Sequence, residues 1–180
     1  MSDAHLRRWD LLSESPRSDG WMPIVRRTYR MPDGSTSDWD IHLGGPTVAV
    51  LALTPAGEVV LVQEYRPGPD AVLTSLPGGL VDEGEPVEAA AVRELREETG
   101  YAAGSVEVVA STWAFSTSTW RRHVALARDC VRVGEPTSYG GDEYCHPVVV
   151  PLAEYRAHLR RGEGTNVDMG YLALDAAGLL

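Results

Sequence analysis

The chain has 180 residues, a formal net charge of −10, 43 % hydrophobic and 23 % charged residues. That length suits one sizeable core rather than two, and the balance is that of an ordinary globular protein. An acidic chain has no field to draw in nucleic acid, and no apolar run approaches the ~20 residues that span a bilayer. "MSDAHLRRWDLL" lacks the apolar core and cleavage site of a signal peptide, so a soluble cytoplasmic chain that binds neither nucleic acid nor membrane is expected. Cys130 and Cys145 are the only cysteines. Two make no disulfide framework and no Cys/His group has zinc spacing, so both are expected reduced and structural.

In chain order, "WMPIVRRTYRMPDGSTSDWDIHL" reads as two strands around a turn at Pro32 to Gly34. "TVAVLALTPAGEVVLVQEYRPG" reads as a second hairpin, Thr47 to Leu53 and Glu58 to Tyr65, turning at Pro55-Ala56-Gly57. Val48 to Leu53 is almost unbroken apolar sequence, the mark of a strand covered on both faces. "PDAVLTSLPGGLVDEGE" is a short strand and a glycine-rich loop. "PVEAAAVRELREETG" reads as a helix with Pro86 in its first turn and Gly100 at its C-terminal cap. Strands follow near Val106 to Ala110, His123 to Ala127 and Val148 to Val150, then helices at Leu152 to Arg161 and around Val167 to Ala177. Strands and helices mix without a strict βαβ repeat, which favours an α/β fold with a mixed sheet between helices over a Rossmann fold. Residues 1–45 read as an accessory β-region and residues 46–180 as the main domain.

"RELREETG" packs Glu94, Glu97 and Glu98 into five residues. At 100° per residue they share an arc of roughly 100° on one helix face. A solvated acidic face is the commonest meaning of such a cluster. Here it lies near the helix C-terminus, where the macrodipole disfavours anions. A divalent cation would reverse the sign, and Mg2+ takes oxygen ligands of this kind together with substrate phosphates. The glycines of "PGG" let a backbone carbonyl, at Gly78 or nearby, approach such an ion. Arg93 is placed to hold the carboxylates, and Leu95 should face the core.

Gly79, five residues, Glu85, seven residues and then Arg93-Glu94-Leu95-Arg96-Glu97-Glu98-Thr99-Gly100-Tyr101 resembles the Nudix hydrolase signature. Tyr101 stands where an aliphatic residue is usual. The resemblance implies a Nudix-type α/β/α sandwich and metal-dependent hydrolysis of a nucleoside diphosphate linked to another moiety. It also implies Mg2+, or Mn2+ in its place, held by Gly78, Glu94, Glu97 and Glu98, with Glu97, Glu98, Glu143 and Arg93 as the catalytic set. Asp142 is second to Glu143 as the loop acid of "SYGGDEYCHP", and His146 reads as structural.

"VVLVQEYRPG … LPGGLVDEGE" is similar to the ADP-ribose and nucleotide-sugar pyrophosphatase branch, which implies a small nucleotide substrate and a homodimer built through the N-terminal strands. Ser75, where the branch usually has Glu, and "FSTSTW", which lacks the usual proline, depart from it. Tyr65 and Arg66 are the strand-end candidates for substrate binding, with Trp120 and Arg121 beyond the helix. Trp120 is the better stacking candidate, because Trp113 and Phe115 read as core. ADP-ribose is the first substrate expected. GDP-mannose, UDP-glucose, a nucleoside triphosphate, or a non-catalytic nucleotide sensor are the alternatives.

Overall fold

The computed structural model describes residues 8–18, 20, 22–140 and 143–180; of residues 139, 140 and 143 it describes the backbone only. The chain divides into two compact units. The first comprises residues 1–45 and 113–121, the second residues 46–112 and 122–180.

In the first unit, β1 (Asp10–Ser18), β2 (Ile24–Arg30) and β3 (Thr36–His42) form an antiparallel sheet in that order. The expected hairpin is β2–β3, and it turns at Gly34, whose N–H bonds Met31 O at 2.9 Å. β1 was not foreseen. It carries Pro16, is exposed at every position and breaks register twice, all habits of an edge strand.

The second unit is a six-stranded mixed sheet covered on both faces. β4 (Thr47–Leu53) lies inside it, antiparallel to β5 (Val59–Arg66) and parallel to β9 (Arg121–Arg128). β13 (His146–Val150) flanks β5, and β8 (Ser105–Trp113) flanks β9. Because successive side chains point to opposite faces, β4 feeds two cores. Val48, Val50 and Ala52 pack with Ala90, Ala91 and Leu95 of α1 (Val87–Thr99). Ala49, Leu51 and Leu53 pack with Tyr155 and Leu159 of α2 (Leu152–Arg161) and with Met169, Ala173 and Leu174 of α3 (Val167–Ala176). This is the α/β/α arrangement expected, and it explains why Val48 to Leu53 is apolar without alternation.

The second hairpin differs from expectation. β4 and β5 pair only at Ala52–Val60 and Leu53–Val59. Beyond that point the strands part, and β5 pairs instead with β6 (Ala71–Ser75), from Val62–Ser75 to Arg66–Ala71. The segment after β6 enters the fork and bonds β4 with its carbonyls. Val50 N–H donates to Pro77 O and Val48 N–H to Gly79 O, each at 2.9 Å, and Leu80 bridges Thr47. The glycine loop is thereby fixed to the centre of the sheet.

Short pairings complete the unit: β7 (Tyr101–Ala102) with β10 (Val131–Arg132), and β11 (Tyr139–Gly140) with β12 (Glu143–Tyr144). Cys130 and Cys145 are free and buried, as expected. Among the described residues no helix is long and apolar enough to cross a membrane.

Candidate active site

The site grows from the fork and from α1. Pro86 caps the helix from just outside it, with ψ 141° and its carbonyl accepting from Ala89 and Ala90 N–H. Gly100 ends the helix in a left-handed conformation. The chain then closes over the exposed carbonyls. Val133 and Gly134 N–H bond Gly100 O, and Thr137 and Ser138 N–H bond Glu97 O at 2.7 and 3.0 Å. These donors relieve the helix end on which the glutamates sit.

Leu95 is fully buried and anchors α1 to the sheet. The three glutamates differ in surroundings. Glu98 is 3 % exposed and accepts the Gly78 N–H at 2.8 Å. Glu94 is mostly covered, whereas the Glu97 side chain is 42 % exposed. Gly78 has φ 151°, and a Cβ there would lie 2.0 Å from Val48 O, so only glycine fits against β4. A Cβ on Gly79 would lie 2.6 Å from the Glu94 carboxylate. The two glycines therefore clear the space that the sheet and a carboxylate occupy.

Arg93 is the hub. Its Nε and Nη2 donate to the two oxygens of Glu85 at 3.0 and 2.9 Å, a bidentate pair. Nη2 also reaches Leu80 O at 2.9 Å, and Nη1 donates to Glu94 at 2.7 Å and Glu97 at 3.3 Å. One guanidinium thus joins the loop, Glu85 and two of the three glutamates. Glu85 in turn accepts the Asp82 N–H at 3.1 Å. The Arg93 guanidinium draws the Glu85 carboxyl below its ordinary range, and the same contact raises Arg93 further above its own.

The donors fit a hard divalent ion in chemistry, being carboxylate oxygens on one helix. Among the described residues, however, no three His, Cys, Asp or Glu side chains form a ready cation cluster. Glu94 and Glu97 are gathered on the guanidinium instead.

Comparison with known proteins agrees with this architecture. The chain matches the NUDIX domain family over residues 44–167. The chain belongs to the Nudix family. Among its relatives is the ADP-ribose pyrophosphatase of Mycobacterium tuberculosis, 32 % identical over 160 residues, covering 86 % of this chain and 75 % of that protein. The ADP-ribose pyrophosphatase of Bacillus subtilis is 32 % identical over 128 residues, 69 % and 68 % of the two chains. The methanol dehydrogenase activator of Bacillus methanolicus is 36 % identical over 155 residues, 82 % of each. A crystal structure of an ADP compounds hydrolase superposes with a TM-score of 0.79 at 19 % identity, over 97 % and 98 % of the chains, which shows a shared fold.

The remaining sequence candidates fall into different places on this Nudix chain. Arg66 continues the β5 row begun by Val60 on the α1 side, and it is ion-paired with Glu64. Tyr65 points to the opposite side, as a neighbouring strand residue must, and donates its hydroxyl to Asp70 at 2.6 Å. Trp120 is partly covered: its ring packs on Gly44, and its Nε1 is buried without a partner among the described residues. Trp113 and Phe115, expected in the core, are 57 % and 43 % exposed. Arg121 lies over the Trp113 ring, 4.5 Å from its centroid. Of the two tryptophans, Trp113 is the more exposed and carries Arg121 on its ring, whereas Trp120 is partly covered by its packing on Gly44. Arg122 is committed to Asp168 of α3 at 2.5 Å. His146 pairs with Gln63 in the β13–β5 ladder. Asp142 and the side chain of Glu143 lie outside the described residues; the Glu143 backbone is in β12.

Sequence reasoning assigned no role to Glu85 or Glu64. The signal for Glu85 was its opposite charge and its place just before the helix that carries Arg93. The signal for Glu64 was its alternation with Arg66, which puts both on one strand face.

Proposed function

We propose that this Nudix hydrolase cleaves the pyrophosphate of ADP-ribose, giving AMP and ribose 5-phosphate. The observation that carries the reading is the carboxylate array tied together by Arg93 and by the Gly78 N–H, in a chain whose relatives named ADP-ribose pyrophosphatase match it over more than two thirds of its length. Gly78 O, Glu94, Glu97 and Glu98 are assigned to Mg2+, or Mn2+ in its place; when bound, the ion neutralises phosphate charge and activates water.

The chain's own residues do the rest. Arg93 acts as a positioning residue, fixing Glu94 and Glu97 on the helix while Glu85 fixes Arg93. Gly78 N–H sets the direction of Glu98. Glu143 is assigned as the base that takes the proton of the attacking water. Arg66 is assigned to a substrate phosphate, since an arginine fork suits phosphate oxygens. A homodimer through the β1–β3 region and a cytoplasmic location complete the reading. Two observations support the dimer: the sheet buries few of its described side chains, and Leu11, Leu12 and Trp39 are exposed.

The test is product analysis with Mg2+ across ADP-ribose, GDP-mannose, UDP-glucose, NADH and one nucleoside triphosphate. AMP and ribose 5-phosphate from ADP-ribose, in preference to cleavage of the others, are expected. Preference for another member keeps the chemistry and replaces the substrate. Absence of cleavage across the panel with Mg2+ bound would overturn the ADP-ribose assignment and move weight to a sensor or to a substrate outside the panel.

A further inference from the structure

Glu64 is a glutamate inside a β-sheet core, 7 % exposed, and none of the steps above uses it. Burying a carboxylate is costly unless it is paired. It is ion-paired with the Arg66 guanidinium, two residues on and on the same strand face. Arg66 is 40 % exposed at the side chain, so the pair is fixed at one end and open at the other.

The strand register places the pair. Val60, opposite Ala52, faces α1. Carrying that pairing along the fork puts Glu64 at the level of Val48 and Arg66 at the level of Pro46. Val48 is the residue whose N–H holds Gly79 O and whose carbonyl abuts Gly78. Glu64 thus lies on the β5 arm of the fork, on the face of α1, and Arg66 lies one step further out on the same face. Burial along the row falls in the same direction, from fully buried Val60 and Val62 through Glu64 to half-open Arg66.

Two other arginines of this unit are spent elsewhere. Arg93 is bound to Glu85, Glu94 and Glu97, and Arg122 to Asp168. A phosphate group arriving in an acidic site needs a cation held in place rather than one sweeping through solvent. We infer that Glu64 is a positioning residue for substrate binding: its buried carboxylate pins Arg66 in the orientation that receives a phosphate of the pyrophosphate group. The inference rests on the pyrophosphatase reading for the identity of the substrate, and on the β5 geometry for the role of Glu64.

The test is a double-mutant cycle with Glu64→Ala, Arg66→Ala and their combination, plus Glu64→Gln as the conservative variant. Two readouts are taken on each: KM and kcat for ADP-ribose with Mg2+, and calorimetric binding of inorganic pyrophosphate with Mg2+, which needs no turnover. Glu64→Ala should raise KM and weaken pyrophosphate binding by about tenfold, the size of a lost charged hydrogen bond, with kcat little changed. Arg66→Ala should do the same, and the double variant should be no worse than either single. Glu64→Gln keeps an oxygen acceptor for Arg66 and should recover most of the affinity.

Additive losses in the double variant would overturn the inference. So would a fall in kcat with pyrophosphate binding intact, or a changed Mg2+ requirement in Glu64→Gln; either would make Glu64 a direct participant. Normal pyrophosphate binding by Arg66→Ala, with ADP-ribose still cleaved by the wild type, would sink the positioning role and leave the enzyme reading standing. If Glu64→Ala does not fold, Glu64→Asp draws the carboxylate back by one methylene while keeping its charge. It should then show the same KM rise in part, and unchanged KM and binding would count against the role.

Discussion

β4 is seven residues long and buries six of them, while β1 is nine residues long and buries none. Both are paired along their length, β1 with two register breaks and β4 regularly with β9, so pairing alone does not set the difference. β4 has helices on both sides and takes its stability from two cores. The sheet of β1, β2 and β3 relies on side chains at its surface: Arg27 with Glu14, Arg26 with Asp40, Thr28 with Asp38, and the rings of Trp9, Tyr29 and Trp39. Among its described residues only Val25 and Ile41 are buried. Substitutions near β4 and α1 should therefore be severe, and those in the N-terminal sheet mild.

The largest effect should come at the carboxylates. Glu97→Gln and Glu98→Gln are nearly isosteric, and Glu98→Gln keeps an oxygen for the Gly78 N–H. Each should cut kcat by on the order of a thousandfold, because metal-assisted charge stabilisation is worth several kcal/mol. Thermal melting should be close to wild type. Wild-type turnover in both variants would remove the proposed mechanism.

The glycine loop should come next, and its two glycines separate stability from activity. Gly78→Ala puts a Cβ against backbone at Val48 with a φ that side chains avoid, so β4 or the loop must move. A loss of about 3 kcal/mol is expected, read by urea or thermal unfolding. The nearest atoms to the Cβ of Gly79→Ala are the end of the Glu94 side chain, which can swing away. That variant should melt nearer to wild type and lose activity instead, through displacement of Glu94. Equal melting temperatures for the two variants would show that the loop is not clamped to β4 as the hydrogen bonds indicate.

Much of this contrast was readable in advance, for physical reasons. A strand buried on both faces must be apolar throughout, so Val48 to Leu53 announced itself. A helix with one face in a core and one carrying carboxylates shows the 3.6 period, and Leu95 among Glu94, Glu97 and Glu98 did so. β1 gave no such sign, because an exposed edge strand has no apolar alternation and "DLLSESPRS" contains a proline. Nor could composition tell Trp120, packed on Gly44, from exposed Trp113, since both are large rings within eight residues of each other. The fork was hidden for another reason: it is held by the carbonyls of Pro77 and Gly79, and backbone bonding leaves little trace in side-chain identity.

A smaller effect is expected at low pH. Arg93, and then the Asp82 N–H, draw the Glu85 carboxyl below its ordinary range. A carboxyl lowered in the folded state binds fewer protons there than in the unfolded chain. Its stabilisation is thus present above the ordinary carboxylate range and is lost as the pH falls through the lowered value. Melting of wild type and Glu85→Gln across pH 7 to 3 should therefore converge toward acid, with the gap between them widest near neutrality. A gap that stays constant with pH would mean that the charge of Glu85 does not matter to the fold.

The smallest effect should be Arg26→Ala. Arg26 makes a two-pronged pair with Asp40 at 2.9 and 3.1 Å, a geometry as good as that of Arg93 with Glu85. The setting differs, because the Asp40 side chain is 45 % exposed and Arg17 stands 3.7 Å from the same carboxylate. Water and salt screen such a pair, and Arg17 remains as a second cation when Arg26 is removed. The melting temperature should shift by no more than about a degree, and less in high salt. A large shift would mean that the N-terminal sheet is held by its surface charges far more than exposed pairs elsewhere, and the contrast between β1 and β4 would then lie in the kind of interaction rather than in the amount of stability it supplies.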